Sequence, residues 1–197
     1  MKNGLTEIII LQDNNAPVPH FGKKANKCVK EFFGSMENTE GEIRITYATF
    51  GGGYKMITDN TPVEKVKIGA KDYHHANGAR DVFDSAGRTI IEKGKAYSMS
   101  DQSEHPENVI FVLTSFGRDN ASKYYTYTQI REMIRHQSEV YNWRFFCLTN
   151  EPFLTKQLGI SDGSVIWFDE QTENSCSNAM NELSNRIKDL IRIPENV

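Results

Sequence analysis

Two runs leave this chain little freedom in how it folds. Residues 6–12 and 108–114 are nearly continuous apolar stretches, built around Ile8-Ile9-Ile10-Leu11 and Val109-Ile110-Phe111-Val112-Leu113. A strand with one wet face alternates apolar and polar residues. A strand apolar throughout is covered on both faces, as in a parallel sheet between helices. The segments between such runs have helical spacing. Phe21, Ala25, Cys28, Val29, Phe32 and Phe33 share a face of 20–36, and Val82, Phe83, Ala86, Ile90 and Ile91 share one of 79–95. Ile130, Met133, Ile134 and Val140 do so in 127–141, and Met180, Leu183, Ile187 and Leu190 in 172–191.

Residues 42–50 alternate, Gly51-Gly52-Gly53 permits a tight reversal, and 54–58 returns, which predicts a hairpin. The glycine triplet lacks the helix with Lys-Ser/Thr that a phosphate loop requires. Residues 144–149 and 164–168 read as further strands, 152–158 as a short helix stopped by Gly159, and 96–107 as a polar loop. The expected fold is a three-layer α/β/α sandwich around a mostly parallel, doubly wound (Rossmann-like) sheet with one antiparallel edge strand, over a single domain spanning 1–197.

Composition removes some functions. A net charge of −3 gives no reason to expect nucleic acid or an anionic membrane. No apolar run approaches the roughly 20 residues of a membrane-spanning helix, and no secretory leader is legible, so a cytoplasmic location is expected. Cys28, Cys147 and Cys176 form neither a disulfide framework nor a metal knuckle, and Cys147 reads as a buried thiol.

In doubly wound sheets, ligands bind beyond the carboxyl ends of the strands, where strand order reverses. The loops after Gln12, before Ala79 and after Thr114 are placed to gather there. Asp72, His74 and His75 lie near the same rim and, with Asp13 and Asp119, offer a transition-metal reading. Adjacent histidines in a loop point apart, which favours a solvated loop. No nucleophilic triad is legible around Ser115, and His105 and His136 stand in polar contexts, so no enzymatic activity is expected. Arg118, Lys123, Arg131 and Arg135, with Tyr124, Tyr125 and Tyr127, form a basic and aromatic stretch. It suits a protein interface better than nucleic acid on a negatively charged chain; a solvated helix start over packed aromatics is the bland alternative.

The run from Val109 to Leu148, including Asp119-Asn120-Ala121-Ser122, Thr128-Gln129-Ile130-Arg131 and Tyr141-Asn142-Trp143-Arg144, resembles bacterial and phage von Willebrand factor A proteins. Tyr73, Gly78, Phe83-Asp84 and Asp13 extend the resemblance over nearly the whole chain. It implies the sheet derived above and a metal-ion-dependent adhesion site: an aspartate-x-serine-x-serine loop, a threonine and a second aspartate. Carried over by position, the first aspartate is Asp13, the serines are Asn15 and Pro17, the threonine is Arg80 and the second aspartate is Ser115. Only Asp13 keeps its ligand chemistry. Mg²⁺ requires oxygen ligands in near-octahedral array, whereas Pro17 offers no side-chain ligand and Arg80 only donors and a fixed positive charge.

Three outcomes are open at this point. Arg80 replaces the cation and pairs with Asp13; Arg80 points to water while Asp13 caps a helix or bonds its own loop; or Mg²⁺ or Mn²⁺ is retained through Asp13, Asn15 and Ser115. The first implies a non-enzymatic protein-interaction module without a cofactor. Its partner-binding rim would comprise Asp13, Asn15, Pro17, Arg80, Ser115, Arg118 and Asp119, with Arg80 or Arg118 receiving an acidic group of an unknown protein. A metal-binding domain with unusual ligands and a self-associating subunit of a larger assembly are the alternatives.

Overall fold

The computed structural model describes residues 1–15, 19–69, 72, 78–169, 172 and 174–191, without the side chains of 19–24. Six strands and five α-helices follow one another as β1 (Lys2–Asp13), α1 (Pro19–Met36), β2 (Glu42–Phe50), β3 (Lys55–Pro62), α2 (Val82–Met99), β4 (Pro106–Ser115), α3 (Tyr127–Tyr141), β5 (Arg144–Thr149), α4 (Pro152–Leu158), β6 (Val165–Trp167) and α5 (Ser175–Ile191). The sheet order is β3-β2-β1-β4-β5-β6. All pairings are parallel except β2–β3, the predicted antiparallel edge. The sheet lies between helices on both faces, so the three-layer expectation holds.

The central strands explain the two-sided burial. On β1, Ile8 and Ile10 face α1 and α5, while Ile9 and Leu11 face α2 and α3. All four are 0% exposed. After β3 the chain crosses over β1 and β2 to reach β4. Strand order therefore reverses between β1 and β4, and the crevice beyond their carboxyl ends is where Asp13 and Ser115 sit.

Several local boundaries match the sequence reading because local chemistry sets them. α3 begins with a capping box in which Thr126 and Gln129 satisfy each other's backbone N–H. α4 has Pro152 in its first turn and stops at Gly159, whose φ of +69° suits a residue without a Cβ.

Elsewhere the structure corrects the reading. α2 starts at Val82 and runs to Met99, so half of the expected loop 96–107 is the last turn of a helix and the start of β4. That turn is polar because it faces water. Ile91, Val140 and Leu190 were expected inside but are 46%, 59% and 43% exposed. Each falls at the margin of its helical stripe rather than its centre. His105 is half-buried against the Tyr97 ring rather than exposed, whereas His136 is exposed as expected.

β1 also holds a charge inside its apolar run. Glu7 is 1% exposed and pairs with Lys93 of α2 at 2.6 Å. Tyr97 donates to its other oxygen, Oε2, at 2.6 Å, and Thr46 donates at 2.5 Å to Oε1, the oxygen that Lys93 holds. Lys93 also reaches Asp59 on β3 at 2.8 Å. Burial and the neighbouring Glu7 carboxylate push the Tyr97 hydroxyl far above the ordinary tyrosine range, so it remains a donor.

α1 and α5 bring two of the three cysteines together: Cys28 and Cys176 share a hydrogen bond, with the Ser177 hydroxyl 3.5 Å from the Cys28 sulfur. Cys147 is fully buried, and burial pushes its thiol up to about 12.

Candidate functional site

Asp13 is the last residue of β1, and the strands on either side make it the floor of the crevice. Its carboxylate is 0% exposed and surrounded by donors. Oδ1 accepts from the Asn15 backbone N–H at 2.7 Å. Oδ2 accepts from Arg80 Nε at 3.0 Å, from the Phe116 N–H at 3.0 Å and from the Ser115 hydroxyl at 3.4 Å. Arg80 also donates through Nη2 to the Asn15 carbonyl at 2.9 Å. The guanidinium thus binds the loop after β1 twice. Of the three sequence-level alternatives for Asp13 and Arg80, the geometry is that of the paired one, with one contact to the carboxylate rather than two.

Arg80 is held by its backbone as well. Its N–H donates to Asn120 Oδ1 at 2.7 Å, and its carbonyl accepts from the N–H groups of Asn120 and Ala121, both at 3.0 Å. Asn120 Nδ2 completes the lock on the Gly78 carbonyl at 3.0 Å. Asn15 spans the same gap from the other side, donating to the Ala79 carbonyl at 2.7 Å and accepting from the Gly78 N–H at 2.8 Å. Three loops distant in sequence are therefore tied by side-chain amides.

Gly51 closes the site from β2. Its φ is +93°, and a Cβ there would sit 2.2 Å from Asn15 Nδ2. Its N–H donates to Asp81 at 3.1 Å. The glycine triplet is the predicted turn, and its first member also makes room for the site. Gly117 approaches the guanidinium in the same way, with Arg80 atoms 3.3 Å from where its Cβ would stand.

The resemblance assigns a divalent cation to this place, and the residues present do not fit one. The Arg80 guanidinium lies on Asp13 Oδ2, and both carboxylate oxygens already accept hydrogen bonds. The Asn15 amide oxygen is used by Gly78, and the Ser115 hydroxyl is aimed at Asp13 and the Gly117 carbonyl. A cation would have to displace a fixed positive charge and at least two backbone donors. Among the described residues, no group of three or more His, Cys, Asp or Glu side chains is arranged to hold a metal. Pro17, His74 and His75 lie outside the described residues. Asp72 pairs with Lys55 at 3.2 Å and accepts from the Gly69 N–H at 2.8 Å.

The other predicted residues separate into two kinds. Asp119 faces inward: it accepts from the Phe83 N–H at 3.2 Å and from the Ser122 hydroxyl at 2.5 Å, fastening the loop after β4 to the start of α2. Arg118 faces outward. Its side chain is 65% exposed, pairs with Glu151 at 3.1 Å and lies 4.9 Å over the Phe153 ring. Sequence reasoning missed Asp84, which accepts from three successive N–H groups, Lys123, Tyr124 and Tyr125, at 2.7–2.9 Å. Its place in the Phe83-Asp84 pair was the available signal. The tyrosine segment before α3 is thereby held rigid.

Half of the basic stretch is ion-paired, and Arg131 is fixed by carbonyls. Arg135 pairs with Glu132 and Glu139, and Arg131 donates to the carbonyls of Lys156 and Gln157. What this end of the sheet exposes is aromatic: Tyr124 at 82%, Trp167 at 52%, Phe153 at 49% and Tyr127 at 44%.

No protein-family model matches the sequence, and no curated protein matches it as a relative. Solved structures do share the fold. Proximal thread matrix protein 1 from the mussel byssus, described with a zinc-occupied MIDAS motif, superposes with a TM-score of 0.67 at 15% identity, over 94% of this chain and 48% of that one. The PilB minor pilin of Streptococcus sanguinis gives 0.67 at 8% identity, over 98% and 63%. The ArnB paralog VWA2 of Sulfolobus acidocaldarius gives 0.55 at 13% identity, over 93% and 45%. The chain spans about half the length of the first and third, and under two thirds of the second. The fold is thus von Willebrand factor A-like; at these identities the likeness speaks for the fold alone.

Proposed function

We propose that this protein is a non-enzymatic protein-interaction module that binds its partner through the rim at the carboxyl ends of the sheet, without a divalent cation. The observation that supports this most is the Arg80–Asp13 pair. It sets a fixed positive charge where the resemblance expects an exchangeable one. In this reading the adhesion site is degenerate as a metal site and retained as a scaffold.

The neutralised centre shifts the contact outward. Arg80 is spent on Asp13 and Asn15, so the acidic-group receptor of the rim is Arg118, whose ion pair among the described residues is with Glu151. Exposed tyrosine, tryptophan and arginine are the residues that dominate protein interfaces. Tyr124 stands on a segment held by the Asp84 hydrogen bonds, and Phe153 and Trp167 on elements with buried neighbours, so little ordering entropy is lost when they are covered.

The test is affinity capture with the purified protein, in EDTA and in millimolar Mg²⁺, followed by Arg118→Glu and Phe153→Ala variants. The same partner retained under both metal conditions and lost in the two variants is the expected result. Capture that disappears in EDTA, together with saturable Mg²⁺ binding abolished by Asp13→Ala, would make this a metal-dependent domain with unusual ligands. A concentration-dependent mass in the absence of any partner would instead favour a self-associating subunit.

A further inference from the structure

The opposite end of the sheet holds a second feature, independent of the rim. β5 is six residues long and β6 only three. β6 pairs with Cys147, Leu148 and Thr149 alone. Arg144, Phe145 and Phe146 pair with β4 on one side and have no strand on the other. Among the described residues they make no backbone hydrogen bond to the loop 159–164 that passes them. Successive residues of a strand direct their N–H and C=O to opposite sides, so at least one of the three presents both groups outward. This free edge lines a cleft of ≈ 600 Å³, walled by Ile160 and by Arg186 and Leu190 of α5.

The cleft has two chemically different sides. Phe145 packs with Ile134 and Trp143 on the α3 side of the sheet. Phe146 packs with Leu183 and Ile187 on the α5 side. Side chains alternate along a strand, so Arg144 is on the α5 side with Phe146; Arg186 and Asp189 of α5 line the same cleft, which leaves two guanidinium groups against one carboxylate. Arg144 is exposed and has no ion pair among the described residues. Arg186 is anchored by Glu182 at 2.5 Å and by the Gly163 carbonyl at 2.6 Å.

We infer that this cleft takes an extended peptide segment of a partner protein by strand addition to the free edge of β5. The segment has carboxylates on the face towards Arg144 and Arg186 and apolar side chains on the face towards Ile134 and Trp143. Unpaired strand edges are templates for such pairing. Main-chain hydrogen bonds hold the segment, and the alternation of side chains selects it. Three free β5 residues cover about 10 Å of strand, which suits a segment of four or five residues lying beside β6's missing half.

The test uses a fluorescein-labelled Val-Glu-Val-Glu-Val peptide and fluorescence anisotropy on the full chain. Saturable binding is expected, weakened about tenfold or more when lysine replaces glutamate, as loss of a charge-assisted contact requires. N-methylation of the central amides should abolish it, since these supply the ladder. Arg144→Glu, an exposed substitution whose folding is checked by circular dichroism, should weaken the glutamate peptide and improve the lysine one. Protection from hydrogen exchange, on peptide addition, of the outward-facing amide or amides among Arg144, Phe145 and Phe146 would support the location. No saturation at millimolar peptide, equal binding of both peptides, or indifference to Arg144→Glu would overturn the proposal. So would a dimer in sedimentation that is lost on Arg144→Glu and not competed by the peptide, which would give the edge to a second copy of the chain.

Discussion

One strand carries two buried carboxylates, and their surroundings could hardly differ more. Glu7, in the middle of β1, is held by side chains only: Lys93, Tyr97 and Thr46. Asp13, at its end, is held by two backbone N–H groups as well as Arg80 and Ser115. Both cations come from the α2 region, yet Lys93 is 4% exposed in its side chain and Arg80 18%. The first carboxylate depends on how a helix packs on a sheet. The second depends on how three loops meet, and it keeps two backbone N–H donors if the cation is lost.

That contrast can be broken experimentally. The largest effect is expected from Lys93→Met, which leaves Glu7 buried without its counter-charge and should cost about 3–5 kcal/mol in urea unfolding. Combining it with Glu7→Leu should recover most of the loss, because a buried pair contributes little net stability over apolar residues of similar volume. If the double variant is as unstable as the single one, the pair matters for more than charge balance.

Arg80→Ala should cost less, about 2–3 kcal/mol, since Asp13 retains backbone donors and water can enter from the rim. The wild-type melting temperature should not respond to millimolar Mg²⁺ or to EDTA. A metal-dependent shift in the wild type would contradict the spent ligand set. Gly51→Ala should come next, at about 1–3 kcal/mol, because it combines a strained φ with a clash on Asn15. Its unfolding should be accompanied by loss of rim binding rather than loss of the Glu7 cluster's protection in hydrogen exchange.

The smallest effect concerns Cys28. The hydrogen bond from Cys176 draws its pKa down to about 7 against the opposing effect of burial, from an ordinary value of 9.0. A lowered acid pKa contributes stability that is full above the unfolded value and is lost as pH falls through the folded one. The stability of the wild type relative to Cys28→Ser should therefore rise between pH 7 and 9. A flat difference across that window would mean the two thiols do not share a proton.

The same two carboxylates show what was readable beforehand. Asp13 and Arg80 were legible through the resemblance, which puts them at the first aspartate and the threonine of the adhesion site; periodicity alone placed Arg80 inside a helix from 79, whereas α2 starts at Val82. The backbone donors from Asn15 and Phe116 were not, since any residue supplies an N–H and only the fold aims it. Glu7 was hidden by its apolar neighbours. Its partner Lys93 looked like one more polar residue of a helix, and Asp59 lies in the polar half of β3 that carries no strand signature. The extra turn of α2 was missed for a related reason: a helix turn facing water has no apolar stripe to betray it. The cleft beside β5 depends on a difference of three residues in strand length, which is at the limit of what periodicity resolves.

The Arg80 guanidinium has one more consequence. An adhesive surface organised around a bound ion has two compositions, loaded and empty, and its behaviour follows the supply of that ion. Here the central charge is encoded in the polypeptide, so every folded copy carries it in the same stoichiometry and no chelator can strip it. In the proposed reading, such a surface needs no ion to become competent, and its availability is set by what covers it and by how much of the protein is folded.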